Sequence, residues 1–227
     1  MRIRLLRTER PEILDIHAGT PRGQAILDDL DRWNRLSGWY AGHVRAVERW
    51  WRHLGCPRPF RVLDVGTGPG GLLHAIGAHF DTLGVETELV GLDRSQGYVA
   101  KAQARLGTRA RIVQADATAM PFGPSAFHLG TTALMIHHLP HGVRHGVVSE
   151  LRRVCSASYV FDLELTFTGA LGWGVLATAL GMGADTRHDG VISVRRACTL
   201  AELTELLSPL PGRVSRRFPT GLALLPA

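Results

Sequence analysis

The stretch VLDVGTGPGG, residues 62–71, decides how the rest of the chain is read. The short apolar run that opens it predicts a buried strand, and Gly66, Gly68 and Gly71 then satisfy G-x-G-x-x-G before the helical segment LLHAIGAHF. Glycines in such a strand-to-helix turn let a ligand approach the backbone closely and face the helix N-terminus. Working outward, ELVGLD (88–93) reads as a strand, SQGYVAKAQARL (95–106) as a helix, and RARIVQAD (109–116) and AFHLGTTALMI (126–136) as strands. HGVRHGVVSELRRV (141–154) then reads as a helix and SYVFDLE (158–164) as a strand. Strands alternating with helices predict an α/β fold with a mostly parallel sheet covered on both faces.

On the N-terminal side, residues 24–54 carry apolar positions at helical spacing, with a break near Ser37-Gly38, and hold four of the five Trp. Their aromatic surface is expected to pack onto what lies beneath it or, alternatively, in part to line a substrate pocket. On the C-terminal side, residues 165–198 read as less regular. Thr199 and Glu202 form a capping box for a helix running to about Leu207. RVSRRF and LALLP then read as two closing strands joined at 219–221, an antiparallel hairpin. The expected organisation is one domain over 1–227: a helical cap at 20–55, a core at 60–164, an acceptor-site insertion at 165–198, and a closing helix and hairpin at 199–227.

Composition narrows the function. Hydrophobic residues are 45% and charged residues 20% of 227, a globular balance that excludes disorder and fibrous repeats. The formal charge is +6, yet all basic residues but Lys101 are Arg, spread from Arg2 to Arg217 without a run, so no nucleic-acid face is indicated. Cys56, Cys155 and Cys198 are odd in number and far apart, which favours a reducing cytoplasm over a disulfide framework or zinc finger. No signal-peptide pattern opens the sequence. Residues 165–184 lack charge over a membrane-span length, but their glycines and threonines argue for a buried or substrate-facing segment rather than stable membrane insertion.

Of three acids around the glycine turn, two separate the cofactors that it can serve. Asp64, two residues before Gly66, sits where a carboxylate meets an ammonium group but repels a pyrophosphate. Asp93, at the end of the second strand, can accept from both ribose hydroxyls, a need that NAD and S-adenosylmethionine share. Asp116, at the end of the third, can accept from an adenine amino group, which the dinucleotide fingerprint does not require. A P-loop is excluded by the lack of a Gly-Lys pair, and the Tyr-Lys spacing of short-chain reductases is missing.

VLDVGTGPGG, GLDRS, QADATAMPF and ALMIHHLP, in this order, resemble the class I S-adenosylmethionine-dependent methyltransferases over residues 60–164. The aromatic N-terminal helix and RHDGVISVRRACTLAEL (187–203) are similar to a bacterial branch found beside type III polyketide synthases. The resemblance implies a Rossmann-like sheet and S-adenosyl-L-methionine held by Asp64, Gly66, Thr67, Gly68, Gly70, Asp93, Arg94, Asp116, Ala117 and Ala133. The sequence departs from the pattern at His128, where an Asp is common, and at Ala133, where a polar residue is frequent.

Methyl transfer from a sulfonium is an in-line displacement whose nucleophile must often lose a proton. His137 and His138, after the fourth strand, are the candidates for that chemistry, His137 first on position. Trp39, Trp173, Arg187 and His188 are candidates for holding the acceptor, and Arg195 and Arg196 are expected on a solvated strand edge. No spacing indicates a metal site. The lack of a [DNS]-PP-[YFW] turn and of a Pro-Cys nucleophile turns the reading from nucleic acid toward a small, partly apolar acceptor methylated on oxygen, or on carbon. The alternatives are a catalytically inactive S-adenosylmethionine-binding protein and a NAD-dependent oxidoreductase.

Overall fold

Four of the six residues of FRVLDV have no solvent exposure at all: Phe60, Val62, Leu63 and Val65. A strand apolar on both faces must lie between two layers, and burying each such side chain is worth about 1.5–3 kcal/mol. In the computed structural model, which describes residues 7–17, 19–217 and 221–227, this strand (β1, Phe60–Val65) is an interior strand of a seven-stranded sheet. The other strands are β2 (Thr87–Asp93), β3 (Ala110–Gln114), β4 (Phe127–Ala133), β5 (Cys155–Leu163), β6 (Arg213–Arg217) and β7 (Gly221–Leu225). Their order is β3-β2-β1-β4-β5-β7-β6. The first five run parallel, while β7 pairs antiparallel with β5 and with β6. The chain thus reverses direction across the sheet between β1 and β4, where open α/β sheets bind ligands at the carboxyl ends of their strands.

The helices are α1 (Ile13–His17), α2 (Pro21–Leu36), α3 (Trp39–His53), α4 (Gly71–Thr82), α5 (Gln96–Leu106), α6 (His141–Val154), α7 (Phe167–Ala179), α8 (Ala184–Arg196) and α9 (Leu200–Leu206). The break expected near Ser37-Gly38 is Gly38 in the left-handed region at φ 68°, between α2 and α3. Thr20 caps α2 by accepting from Gly23 N–H, and Pro21 stands at its first position. Trp50 and Trp51 of α3 are buried, and the Trp50 indole donates to the Leu224 carbonyl at 3.3 Å, so this aromatic face packs onto the sheet as expected. The capping box at Thr199 and Glu202 is formed.

Four expectations need correction. Residues 165–198 are two helices, not irregular chain. Their glycine content lowers intrinsic helix propensity, but Thr166 caps α7 by accepting from Gly169 N–H, and α7 and α8 pack on one another, which outweighs propensity. Arg195 and Arg196 therefore close α8 rather than edge a strand. The fourth strand stops at Ala133, because Leu134 turns to φ 57° and a 3₁₀ turn, Ile136–His138, follows. The third stops at Gln114, which leaves Asp116 two residues beyond it. The proposed join at 219–221 falls mostly outside the described residues, of which Gly221 opens β7. Among the described residues no helix is long and apolar enough to cross a membrane.

Candidate active site

The glycine turn spends its N–H groups on the protein itself. Gly66 and Thr67 both donate to the Leu92 carbonyl (2.8 and 3.0 Å), Gly68 donates to Asp93 Oδ2 (2.9 Å), and Gly70 donates to the Thr67 carbonyl (3.0 Å). A pyrophosphate needs free donors at such a turn, and residues 66–70 leave it none. All three of Gly66, Gly68 and Gly70 have positive φ, but they face different things. A side chain at Gly66 would strike Met135, one at Gly70 would crowd Leu106 and Ala102, and one at Gly71 would land on the Tyr40 hydroxyl. Gly68 alone of these opens onto free space. That is the face left for a ligand.

Two acids flank the open face. Asp64 is 3% exposed and accepts from the Thr67 hydroxyl (2.8 Å) and the Thr131 hydroxyl (2.7 Å). Burial pushes its carboxyl up to about 6, against the two hydrogen bonds, with nearby Asp93 adding to the rise. Asp93 accepts from Gly68 N–H and, at 2.8 Å, from Ser95 N–H, so each oxygen keeps a lone pair for a ligand. Burial also raises its carboxyl. Asp116 lies at the surface, where one oxygen takes the Thr118 N–H and hydroxyl and holds its pKa down. Ala117 is beside it, half-buried. Arg94 is exposed, and its carbonyl accepts from Gln114. Ala133 ends β4 opposite Phe161 of β5. His128 of β4 accepts the Arg61 N–H of neighbouring β1 at 3.1 Å.

The two histidines differ in exposure. His137 is 2% exposed and doubly anchored to Asp162: its N–H donates to Oδ2 at 3.0 Å, and its Nδ1 lies 2.5 Å from Oδ1. Asp162 is equally buried, which raises its carboxyl, but His137 outweighs this and brings it below the usual range. His138 keeps 28% side-chain exposure, stacks on His137 with ring centroids 4.2 Å apart, and holds Nδ1 2.9 Å from Asp15 Oδ1. Asp15 is held down by His138 and Arg196 despite partial burial, with Arg196 donating to Oδ2 at 2.7 Å. Glu12 closes the cluster. It is 3% exposed, pushed up to about 7 by burial, and its Oε1 has no hydrogen-bond partner while lying 3.7 Å from His137 Nε2 and 3.8 Å from His138 Nδ1.

The segment carrying Glu12 is fixed by α8, since the Asp189 carboxylate accepts from Ile13 and Leu14 N–H (2.7 and 2.9 Å) at the start of α1. Tyr98 links the cluster to the cofactor face: its phenol is raised by burial and by the charges of Asp93, Asp15, Glu12 and Asp189.

The remaining acceptor candidates go elsewhere. Trp39 is half-buried against His43 and Phe161 (centroids 3.8 and 6.3 Å). Trp173 is a helix-packing residue, its indole pressed where a Gly190 side chain would stand. Arg187 donates to the Met182 carbonyl and His188 faces solvent, both on α8 rather than in a turn. An apolar cavity of about 730 Å³ is lined by Leu165, Phe167, Leu171, Val175, Val191 and Arg195. Val191 and Arg195 are one turn apart on α8, while Asp189 and Arg196 leave its other side toward α1. The cavity therefore lies across α8 from the histidines.

Sequence reasoning missed Glu12, Asp15, Tyr98 and Asp162. Asp162 was within reach of the rule that selected Asp64 and Asp93, an acid near the carboxyl end of a parallel strand. Glu12 and Asp15 carry no local signal, because their role depends on partners more than 120 residues away.

Residues 62–158 match a family model described as a methyltransferase domain. Among solved structures, the plantazolicin methyltransferase BamL, in complex with a triazolic desmethylPZN analog and SAH, is 17% identical with TM-score 0.66, covering 91% of this chain and 72% of that one. The plantazolicin methyltransferase BpumL with SAH and a monoazolic analog is 15% identical, TM-score 0.63, over 91% and 75%. A SAM-dependent methyltransferase from Aquifex aeolicus is 16% identical, TM-score 0.56, over 78% and 86%. At these identities the structures establish the shared Rossmann-like class I fold. A search of curated protein sequences gives no match. Matched domain, fold and glycine turn together define an S-adenosylmethionine-dependent methyltransferase, with S-adenosylmethionine as its methyl donor.

Proposed function

We propose that the protein methylates a hydroxyl, or a carbon, of a small, partly apolar acceptor such as a phenolic or quinone natural product. The observation that carries the acceptor class is the charge around the histidines. Asp15, Asp162 and Asp189 gather there with Glu12, which is partly charged at neutral pH, and Asp93 lies beyond Tyr98; Arg196 is the basic partner of Asp15, and such a field repels a polyanion. Nucleic acid is thereby disfavoured as the acceptor, in spite of the chain's net positive charge. BamL, whose substrate analog is an azole compound, supports a natural product in this role.

In this reading Gly68 gives the cofactor its backbone approach, Asp93 takes the ribose hydroxyls, Asp116 the adenine amino group, and Asp64 the methionine ammonium. His138, held through Nδ1 by Asp15, is the ring with access to an acceptor. Its other nitrogen takes the acceptor's proton as the methyl group leaves sulfur. His137 and Asp162 position it from behind.

The test is transfer from labelled S-adenosylmethionine to a panel of phenols, hydroxyquinones and tRNA. Label is expected in phenols or quinones; tRNA as the best acceptor overturns the reading, and tight cofactor binding with no transfer to any compound favours the binding-only alternative. Asp64 adds a pH signature. Below its pKa of about 6 the carboxyl is neutral and cannot pair with the ammonium, so affinity for S-adenosylhomocysteine should rise as pH goes from 5 to 7. Calorimetry at pH 6 in buffers of different ionisation heat should register a released proton, and Asp64→Asn should abolish that difference.

A further inference from the structure

Glu12 Oε1 is a buried oxygen without a partner, facing His137, which Asp162 holds from behind through Nδ1, and His138, whose Nδ1 also contacts Asp15. We propose that Glu12, His137 and His138 form a binding site for one divalent transition-metal ion of the zinc type. Each can offer one ligand atom, and these atoms lie within 4.8 Å of one another. The separations from Glu12 Oε1 to His137 Nε2 and His138 Nδ1, 3.7 and 3.8 Å, approach the roughly 3.3 Å edge of a tetrahedron with metal–ligand bonds of about 2.0 Å.

Two further features fit an ion, and one hydrogen bond is its cost. Asp162 holds His137 through Nδ1, which leaves Nε2 bare and aimed at Glu12, the carboxylate–histidine arrangement that supports metal-ligating imidazoles. Ligation through His138 Nδ1 would displace its hydrogen bond to Asp15, whose other oxygen stays with Arg196. An ion would also give Glu12 Oε1 the partner it lacks. Two imidazoles and one carboxylate suit zinc, cobalt, nickel or ferrous iron better than magnesium or calcium, and three protein ligands leave a fourth position open.

The inference rests on the methyltransferase reading only for what fills that position, which would be the acceptor oxygen. Ligation of His138 through Nδ1 would leave the neutral ring's proton on Nε2, so that nitrogen could not also act as the base. In the loaded protein the acceptor hydroxyl would be acidified by the ion rather than deprotonated by a free His138.

Cobalt(II) titration of the untagged full-length protein, followed by visible absorption and by calorimetry, tests the site. One equivalent per chain is expected, with d–d bands of a four- or five-coordinate ion, and competition by zinc. Glu12→Gln and His138→Ala should each weaken cobalt affinity at least tenfold. His137→Ala is avoided because it would orphan Asp162. The thermal shift caused by S-adenosylhomocysteine, read on the same samples, verifies that both variants are folded and checks the cofactor site separately. No stoichiometric uptake by the wild type, or equal uptake by both variants, overturns the ion site, whereas loss of the S-adenosylhomocysteine shift in the wild type overturns the methyltransferase reading.

Discussion

Gly68→Val is expected to abolish measurable S-adenosylhomocysteine binding while the protein stays folded. The backbone at Gly68 has φ 53°, and a side chain built there meets no protein atom within 4 Å. Those facts set two separate costs. The left-handed conformation of a β-branched residue is worth about 1–2 kcal/mol of strain, which in a chain of this size lowers Tm by roughly 2–8 °C. The side chain itself would occupy the one open face of the turn, so the ligand rather than the protein takes the clash. Calorimetry and a melting curve separate the two. A variant that melts slightly early but binds S-adenosylhomocysteine with wild-type affinity would show that the turn serves packing alone. Valine at Gly70 should do the reverse, because Leu106 and Ala102 already crowd that position.

Asp162→Asn should be the most damaging conservative change near the histidines. The carboxylate accepts from His137 N–H, contacts His137 Nδ1 and accepts from Leu163 N–H at 2.7 Å, with 2% exposure. Replacing a buried carboxylate that accepts several hydrogen bonds costs about 3 kcal/mol, the upper end for a hydrogen bond to a charged group, which corresponds to a Tm lower by roughly 6–12 °C. The amide can present its nitrogen to His137 and force the opposite tautomer, so turnover should fall roughly 10- to 100-fold, the range typical of a lost orienting partner. KM for S-adenosylmethionine should hardly move, since Asp162 is on β5 and the cofactor face lies over β1 and β2. A variant with wild-type kcat and wild-type Tm would remove Asp162 from any positioning role.

The parts of the molecule legible in the sequence are those where local chemistry and tertiary structure agree. The C-terminal end of β1 is marked by type, the mostly apolar Phe60–Val65 running into glycines, and the strand sits where the pattern puts it. The capping box at Thr199 is likewise self-contained, two side chains satisfying each other's backbone. The failures share a different origin. AFHLGTTALMI looks like one strand because nothing in its residue types signals the left-handed Leu134, and α7 looks irregular because its helix is secured by α8 rather than by its own residues. The site divides in the same way. Asp64, Gly68 and Asp93 lie on consecutive elements of one βαβ unit and could be read together. The histidine cluster draws on residues 12, 15, 137, 138, 162 and 189, which no window of sequence contains. Position after the strand favours His137, while His138 is the more exposed ring and Glu12, which lies near both, arrives from the other end of the chain.

That long reach has a consequence for synthesis on the ribosome. The sheet from β1 to β5 and its cofactor turn are complete once residue 163 has emerged, and nearest-neighbour strand pairing through local crossovers lets that part condense early. Glu12 and Asp15 have by then been outside for well over a hundred residues, but Asp189 and Arg196, which seat them, have not yet been made. A nascent chain therefore passes through a stage that has its cofactor turn and an uncovered histidine pair. Arrested chains ending after β5 should protect the turn from proteolysis in the presence of S-adenosylhomocysteine while residues 7–17 remain cleavable, and extension through α8 should protect both.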